Sequence, residues 1–385
     1  MKNYFKIMGM MSWLLLFFAK TSSAATPVLV PFNSGQWEFN GTTSAHKIVN
    51  YAGKTAVLAG MADKEFATLK NVSFKNGVFE TDAIFQRKDI IAGYVEIRWH
   101  CQEGVRQCDK LYLRPNKSAF PNSVQYAPII NGISNWQLYD APYNIATVSF
   151  PFGKWFHIKI VSVGRYAEIY VVDMTKPILN VNLLSSSSAG DIVLESQGAH
   201  LANPSYTLDD NPALMKTPPV LADEPTAIKN WTVSEPVNEN VIQDKMFIET
   251  HYLNSLKWQP VNTAADGLAN LAQVQDANNI IAGKNTVFAK AIISSTQNQV
   301  KLMKFGFSDK VKLYLNGRII YQEDQSFHSR NAWFLGNIGY FNEIYLPLKA
   351  GNNEIVMAVT ESLKMNGVGV EAKFADLNGL TLLHP

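Results

Sequence analysis

Charge is scarce in this sequence: only 17% of its 385 residues are Asp, Glu, Lys or Arg. Lys2, Lys6 and Lys20 sit in an N-terminal stretch without an acid. Beyond it 31 basic and 32 acidic residues remain, a formal charge of −1. Bulk composition therefore offers no basic face, and a nucleic-acid partner is not expected. Cysteine is scarcer still, with two residues in the chain. His-Glu-x-x-His, P-loop and dinucleotide fingerprints are all missing, which removes the usual signatures of zinc and nucleotide chemistry. Calcium is the one ion left open, but no dense Asp/Asn loop marks a site for it, so no cofactor and no metal are expected. What is abundant is apolar residues, at 47%, enough for packed cores and too many for wholesale disorder. At roughly 100–200 residues per domain, the length predicts two domains, with three as the alternative.

The first 25 residues read as an export signal. Lys2 and Lys6 precede an apolar run from Ile7 to Ala19, and Thr21-Ser22-Ser23-Ala24-Ala25 supplies small residues for cleavage. The run is shorter than the ~20 residues of a spanning helix, and no later stretch could cross a bilayer. A secreted or periplasmic protein is the expectation. Cys101 and Cys108 then gain a meaning, since an oxidising compartment permits a bond between them. They enclose six residues between the strand-like segments 94–100 and 110–114, which predicts a hairpin pinned by a structural disulfide. Closing so small a ring is worth about 2.5 kcal/mol by loop entropy. Neither Cys-x-x-Cys spacing nor a neighbouring His-Cys cluster supports a redox pair or half a metal site.

Period-two alternation dominates residues 48–195 and resumes after 285, which predicts short strands and an all-β fold. Asn316-Gly317 and Ala350-Gly351-Asn352-Asn353 read as hairpin turns. Only 264–275 has a helical look, weakened by Gly267. Periodicity lapses between His200 and Lys229, where Pro204, Pro212, Pro218, Pro219 and Pro225 fall together. This organisation predicts a signal (1–25), a β-sandwich (26–199), a proline-rich linker (200–228) and a second β-sandwich or jelly roll (229–385).

Two resemblances follow from motifs in order along the chain. Gly77-Val78-Phe79-Glu80-Thr81-Asp82, Gly93-Tyr94-Val95-Glu96-Ile97-Arg98, Leu111-Tyr112-Leu113-Arg114-Pro115, Val124-Gln125-Tyr126 and Trp155-Phe156-His157-Ile158-Lys159 make the first half resemble concanavalin A-like lectins and glucanases, laminin-G-type domains among them. Gly306-Phe307-Ser308-Asp309, Val311 to Gly317, Tyr345-Leu346-Pro347-Leu348 and Gly351-Asn352-Asn353-Glu354 make the second half resemble a galactose-binding-like jelly roll. The resemblances imply sugar binding as a class and name no ligand.

Glucanases of that superfamily place carboxylates as Glu-x-Asp-x-x-Glu on one strand face, close enough to act across one bond. Here Glu80 and Asp82 match, but Phe85 stands in the third position. The motif is broken where the general acid belongs. A glycoside hydrolase with a non-standard site, drawing on Glu80, Asp82, Glu96 or His100, is thus the second expectation; a protein-binding adhesion or assembly module is the third. The first is an exported carbohydrate-binding protein with no catalytic residue. Alternation puts Tyr94, Glu96, Arg98 and His100 on one face, with Val95, Ile97 and Trp99 on the other. Pairing through the hairpin brings Tyr112 and Arg114 alongside, with a Glu96–Arg114 pair as the ordinary cross-strand alternative. Gln125, Trp136 and Gln137 extend the patch. Arg98, Tyr112, Arg114, Gln125, Trp136 and Gln137 are therefore the expected glycan contacts, rings for sugar C–H faces and planar polar groups for hydroxyls. Tyr314, Tyr321, Trp333 and Tyr340 of the second half are expected to be core or edge aromatics.

Overall fold

The computed structural model describes residues 26–41, 47–59, 65–86, 93–217 and 219–383. The expected signal falls outside them, and among them no helix is long and apolar enough to cross a membrane. The fold is all-β. Four antiparallel sheets form two face-to-face pairs. In the first pair, one sheet is centred on Phe156–Val163, Gly77–Phe85 and Ala199–Leu208. Its mate orders Val124–Ile130, Gln107–Leu113, Tyr94–Gln102 and Asp191–Gln197. Alternation explains the packing: Phe79, Phe85, Ile158 and Ile160 from one sheet meet Val95, Ile97, Trp99 and Leu111 from the other in a single core.

The second pair follows from Trp231 onward. Thr286–Ser295, Gly351–Thr360 and Lys310–Leu315 lie side by side in one sheet, and Gly369–Phe374, Gln299–Ser308 and Asn342–Leu348 in the other. Val287, Ile355 and Leu313 bury against Phe305, Phe307 and Val370. Asn316 and Gly317 take φ of 51° and 81°, the left-handed pair that a tight two-residue hairpin requires. The turn at 350–353 does something else. Asn342–Leu348 and Gly351–Thr360 belong to opposite sheets, so this turn carries the chain across the sandwich rather than closing a hairpin. Residues 264–275 hold a two-residue strand and one 3₁₀ turn, Leu271–Gln273.

The non-periodic stretch is shorter than its prolines suggest. His200 to Leu208 complete the strand Ala199–Leu208, and Pro204 sits where the register with Gly77–Phe85 shifts, between Ala202 and Ser205. A bulge needs no ladder donor at that point, so proline is tolerated. From Ala227 the chain again pairs, with Lys373. Between these points Met215 and Val220 are exposed, yet Asn180 and Asn182 donate to the carbonyls of Thr217 and Pro219. Trypsin should therefore nick first after the exposed Lys216. The two halves should still co-elute on size exclusion because they are docked by side chains described below; separate elution would show that docking contributes little.

Candidate functional site

Strand Tyr94–Gln102 pairs with Gln107–Leu113 so that Glu96 opposes Tyr112 and Arg98 opposes Lys110, and Cys101 and Cys108 are bonded near the hairpin's end. His100 leaves the shared face. Its φ is 54°, at the irregularity between Trp99 and Gln102, and its ring is buried 3.0 Å from Asp109 and 2.8 Å from the Lys75 carbonyl. The remaining polar groups form a closed charge network. Arg98 binds Glu96 (2.6 Å) and Glu195, while Lys110, only 1% exposed, reaches Glu96 at 3.2 Å and Ser134 Oγ at 2.6 Å. Burial alone would raise the Glu96 carboxyl, but Lys110 and Arg98 outweigh it and hold its pKa at about 2. Arg98 is thus tied into the protein, and Glu96 pairs with Lys110 rather than with Arg114.

Arg114 ends the neighbouring strand and turns toward a different set of partners. Its guanidinium donates to the Asn122 carbonyl (3.0 Å) and to the Gln125 amide oxygen, and lies over the rings of Tyr112 (4.3 Å) and Trp136 (5.5 Å). Gln125 is fully buried and donates to the carbonyls of Trp136 and Tyr139, both at 2.8 Å. It fixes the 3₁₀ turn Trp136–Leu138 against the sheet. Gln137, also fully buried, donates to the Leu335 carbonyl (2.7 Å) of the second half. Neither amide faces a space where a ligand could reach it. Leu138 packs where Gly367 and Gly369 offer bare backbone, since a Cβ at either would collide with its methyls. Trp136 Nε1 donates to Asn366 at 3.0 Å, and the backbone of Ser134 to Met365 at 2.9 Å. One short turn of the first half is therefore clasped by two loops of the second.

That clasp creates a cleft of about 580 Å³ between the halves. Tyr112, Arg114, Lys117 and Trp136 line one wall; Phe327, His328, Trp333, Lys364 and Asn366 line the other. Trp136 meets Phe327 edge-on at 5.7 Å, Lys117 lies 5.9 Å from the Trp333 ring, and Lys364 lies 4.6 Å from that of Phe327. Trp333 is 76% exposed, so it is neither core nor edge packing as its sequence context suggests. Burial pushes the Tyr112 phenol up to about 12. Of the six expected contacts, the cleft brings together Tyr112, Arg114 and Trp136. Residues 327–334 were missed by periodicity because they form a loop; a run holding Phe327, His328, Trp333 and Phe334 outside any strand is itself a signal, since loop aromatics lack a core role.

The carboxylates of the hydrolase expectation do not converge. Glu80 and Asp82 lie on the opposite sheet of the first sandwich from Glu96 and His100, with the core between them. His157 hydrogen-bonds Asp82 at 2.7 Å and Glu80 at 3.3 Å, and Lys54 pairs with Asp82 at 2.8 Å. Hydrogen bonds that His157 donates to Asp82 and Glu80 raise its pKa to about 9. Burial opposes ionisation of Asp82, but His157, Lys54 and Asn203 win and hold it at about 2. A general acid needs a raised carboxyl, and both groups here are lowered. Among the described residues, no cluster of three or more His, Cys, Asp or Glu is placed to hold a metal ion.

No family model matches the sequence, and no curated protein resembles it at that level. Solved structures with a similar course of chain include a carbohydrate binding module from Bacillus subtilis, 15% identical with a TM-score of 0.32, covering 45% of this chain and 92% of that one. A Bacillus licheniformis beta-glucanase is 11% identical with a TM-score of 0.35, covering 49% of this chain and 100% of the enzyme. A family 35 carbohydrate binding module from an environmental isolate is 18% identical with a TM-score of 0.19, covering 26% and 73%. Likenesses of this size carry no argument about the ligand.

Proposed function

We propose that this chain is an exported carbohydrate-binding protein that holds a glycan in the cleft between its two sandwiches. The observation that carries the reading is the lining itself. Rings of Tyr112, Trp136, Phe327 and Trp333 offer faces for the C–H side of a pyranose, and Arg114, Asn116, His328 and Asn366 offer hydrogen bonds at its edge. A cleft of this size accommodates a few sugar units, within the usual range for ligand sites. Glycosidases set two carboxyl groups across the scissile bond, and no Asp or Glu lines the described cleft. The reading is therefore binding without cleavage.

Trp333→Ala tests it against a printed glycan array. Its side chain is exposed, so truncation should leave melting unchanged, within about 0.5 kcal/mol of stability. Loss of one stacking face should weaken the bound glycan by about 0.5–1.5 kcal/mol, a few-fold to tenfold. A chain that binds no glycan would support the adhesion reading; one that releases reducing ends would support a hydrolase.

A further inference from the structure

The charge of the cleft is one-sided. Arg114, Lys117 and Lys364 line it, and no acid does among its described residues. The other buried cations nearby are matched: Arg98 with Glu96 and Glu195, Lys110 with Glu96. Among the described residues, no carboxylate stands at ion-pair distance from Arg114, Lys117 or Lys364, whereas Arg106, at the seam, pairs with Asp276. Arg114 is the telling case, because it is only 9% exposed. Its hydrogen-bond partners, the Asn122 carbonyl, the Gln125 amide and the Tyr112 hydroxyl, are neutral. Asp140 and Glu96 act on it from farther off. Asp140 is bonded by Asn337, and its carboxyl is pushed up by burial, while Glu96 already answers two cations. A guanidinium never loses its proton in a protein, and a buried charge without a counter-ion is costly. Lys117 and Lys364 rest on ring faces, contacts that a stronger partner readily replaces. Burial and Lys364 push the His328 imidazole down, so it adds a hydrogen-bonding group rather than a fixed charge.

We infer that the glycan taken by this cleft is acidic, and that its carboxylate or sulfate is the missing counter-ion of Arg114, Lys117 and Lys364. The inference rests on the reading of the cleft as a glycan site and names its ligand class. A planar carboxylate and a sulfate both suit the guanidinium fork, and both draw charge-assisted hydrogen bonds from the two ammonium groups. Charge supplies the discrimination and the aromatic rings supply the contact area.

Paired probes separate this inference from the reading beneath it. Calorimetric titration of the mature chain should show polygalacturonate oligomers bound at least about tenfold more tightly than the same oligomers as methyl esters, or dextran sulfate more tightly than dextran. The first result assigns a carboxylate and the second a sulfate. Lys117→Gln/Lys364→Gln should weaken the acidic probe roughly five- to tenfold and flatten its dependence on salt, since exposed pairs are screened within about 8 Å at physiological ionic strength. Lys245→Gln/Lys349→Gln, two exposed lysines outside the cleft, should leave both unchanged. Equal affinity for esterified and free oligomers, and for dextran and its sulfate, would overturn the acidic ligand and leave the glycan site standing. Binding to none of these and to no arrayed glycan would remove the site as well. A single-stranded DNA oligonucleotide bound as tightly as the acidic glycan, with Trp333→Ala making no difference, would reduce the cleft to an unselective cationic patch and also overturn the inference.

Discussion

Replacing Glu96 by Ala is expected to cost about 3–5 kcal/mol of stability, because it strands Arg98 and Lys110 in a dry interior with one anion between them. Melting should fall by roughly 10 °C, given a few degrees per kcal/mol for units of this size. Glu96→Gln keeps the shape and loses the charge, so it should fall in between. Circular dichroism melts at pH 7 decide the matter, and a melting temperature within a degree of wild type would mean that water reaches the network. The same logic reassigns Arg98. It was expected to touch ligand, but it is gripped by Glu96 and Glu195, and its truncation should destabilise the sheet that carries Tyr112 before it alters affinity. The network also sets the acid limb of stability. A carboxyl held near 2 in the fold and near its ordinary 4.5 in the unfolded chain stabilises above 4.5 and loses that contribution as pH falls toward 2. Glu195 works the other way, since burial and Glu96 raise it, so it softens this loss rather than adding to it.

The sequence made the strands legible because alternation is a local property. Tyr94 to Trp99 faces the way its periodicity says, and so do Gln107–Leu113 and Phe156–Val163. Which polar face lies under another element is not local. Gln125 and Gln137 have the composition of sugar contacts, and they are buried because a turn and a loop from more than 190 residues away close over them. His100 follows the alternation in sequence and breaks it in space, since one left-handed residue beside the disulfide rotates it into the core. The clasping loops, 327–338 and 363–367, have no period at all; only their aromatics and lysines could have drawn notice. Tyr112, Arg114 and Trp136, which line the cleft, could be singled out because ring and guanidinium chemistry is visible residue by residue. Their partners in the second half required the docked structure.

Acidification from pH 7.5 toward 5 is expected to stabilise this protein, against the usual sense for a chain with a matched carboxylate network. Besides Asp140, three carboxyls at or near the seam have raised pKa values. Glu371, 6% exposed, is lifted to about 8 by burial and by Asp266, with Lys373 pulling the other way. Glu361, 1% exposed, faces Asp309, and burial with that neighbour raises it well above the ordinary range, with the Asn366 and Ser362 amides pulling the other way. Asp309 itself, fully buried, is raised by burial despite the Ser362 amide at 3.1 Å. A carboxyl that stays protonated in the fold and ionises when unfolded lowers stability between its unfolded and folded pKa values, at up to about 1.4 kcal/mol per pH unit. For Glu371 that window runs from 4.5 to about 8. Glu371→Gln removes the titration while keeping the shape, so it should gain about 1–3 kcal/mol at pH 7.5 and almost nothing at pH 4.5. Glu361→Gln should show the same sign. Because loss of the Glu96 contribution begins below about 4.5, wild-type stability should peak near pH 5 and fall on both sides. Thermal melts of wild type, Glu371→Gln and Glu361→Gln across pH 4–8 provide the check. A gap between Glu371→Gln and wild type that does not widen with rising pH would show that Glu371 is ionised in the fold and solvated where it sits.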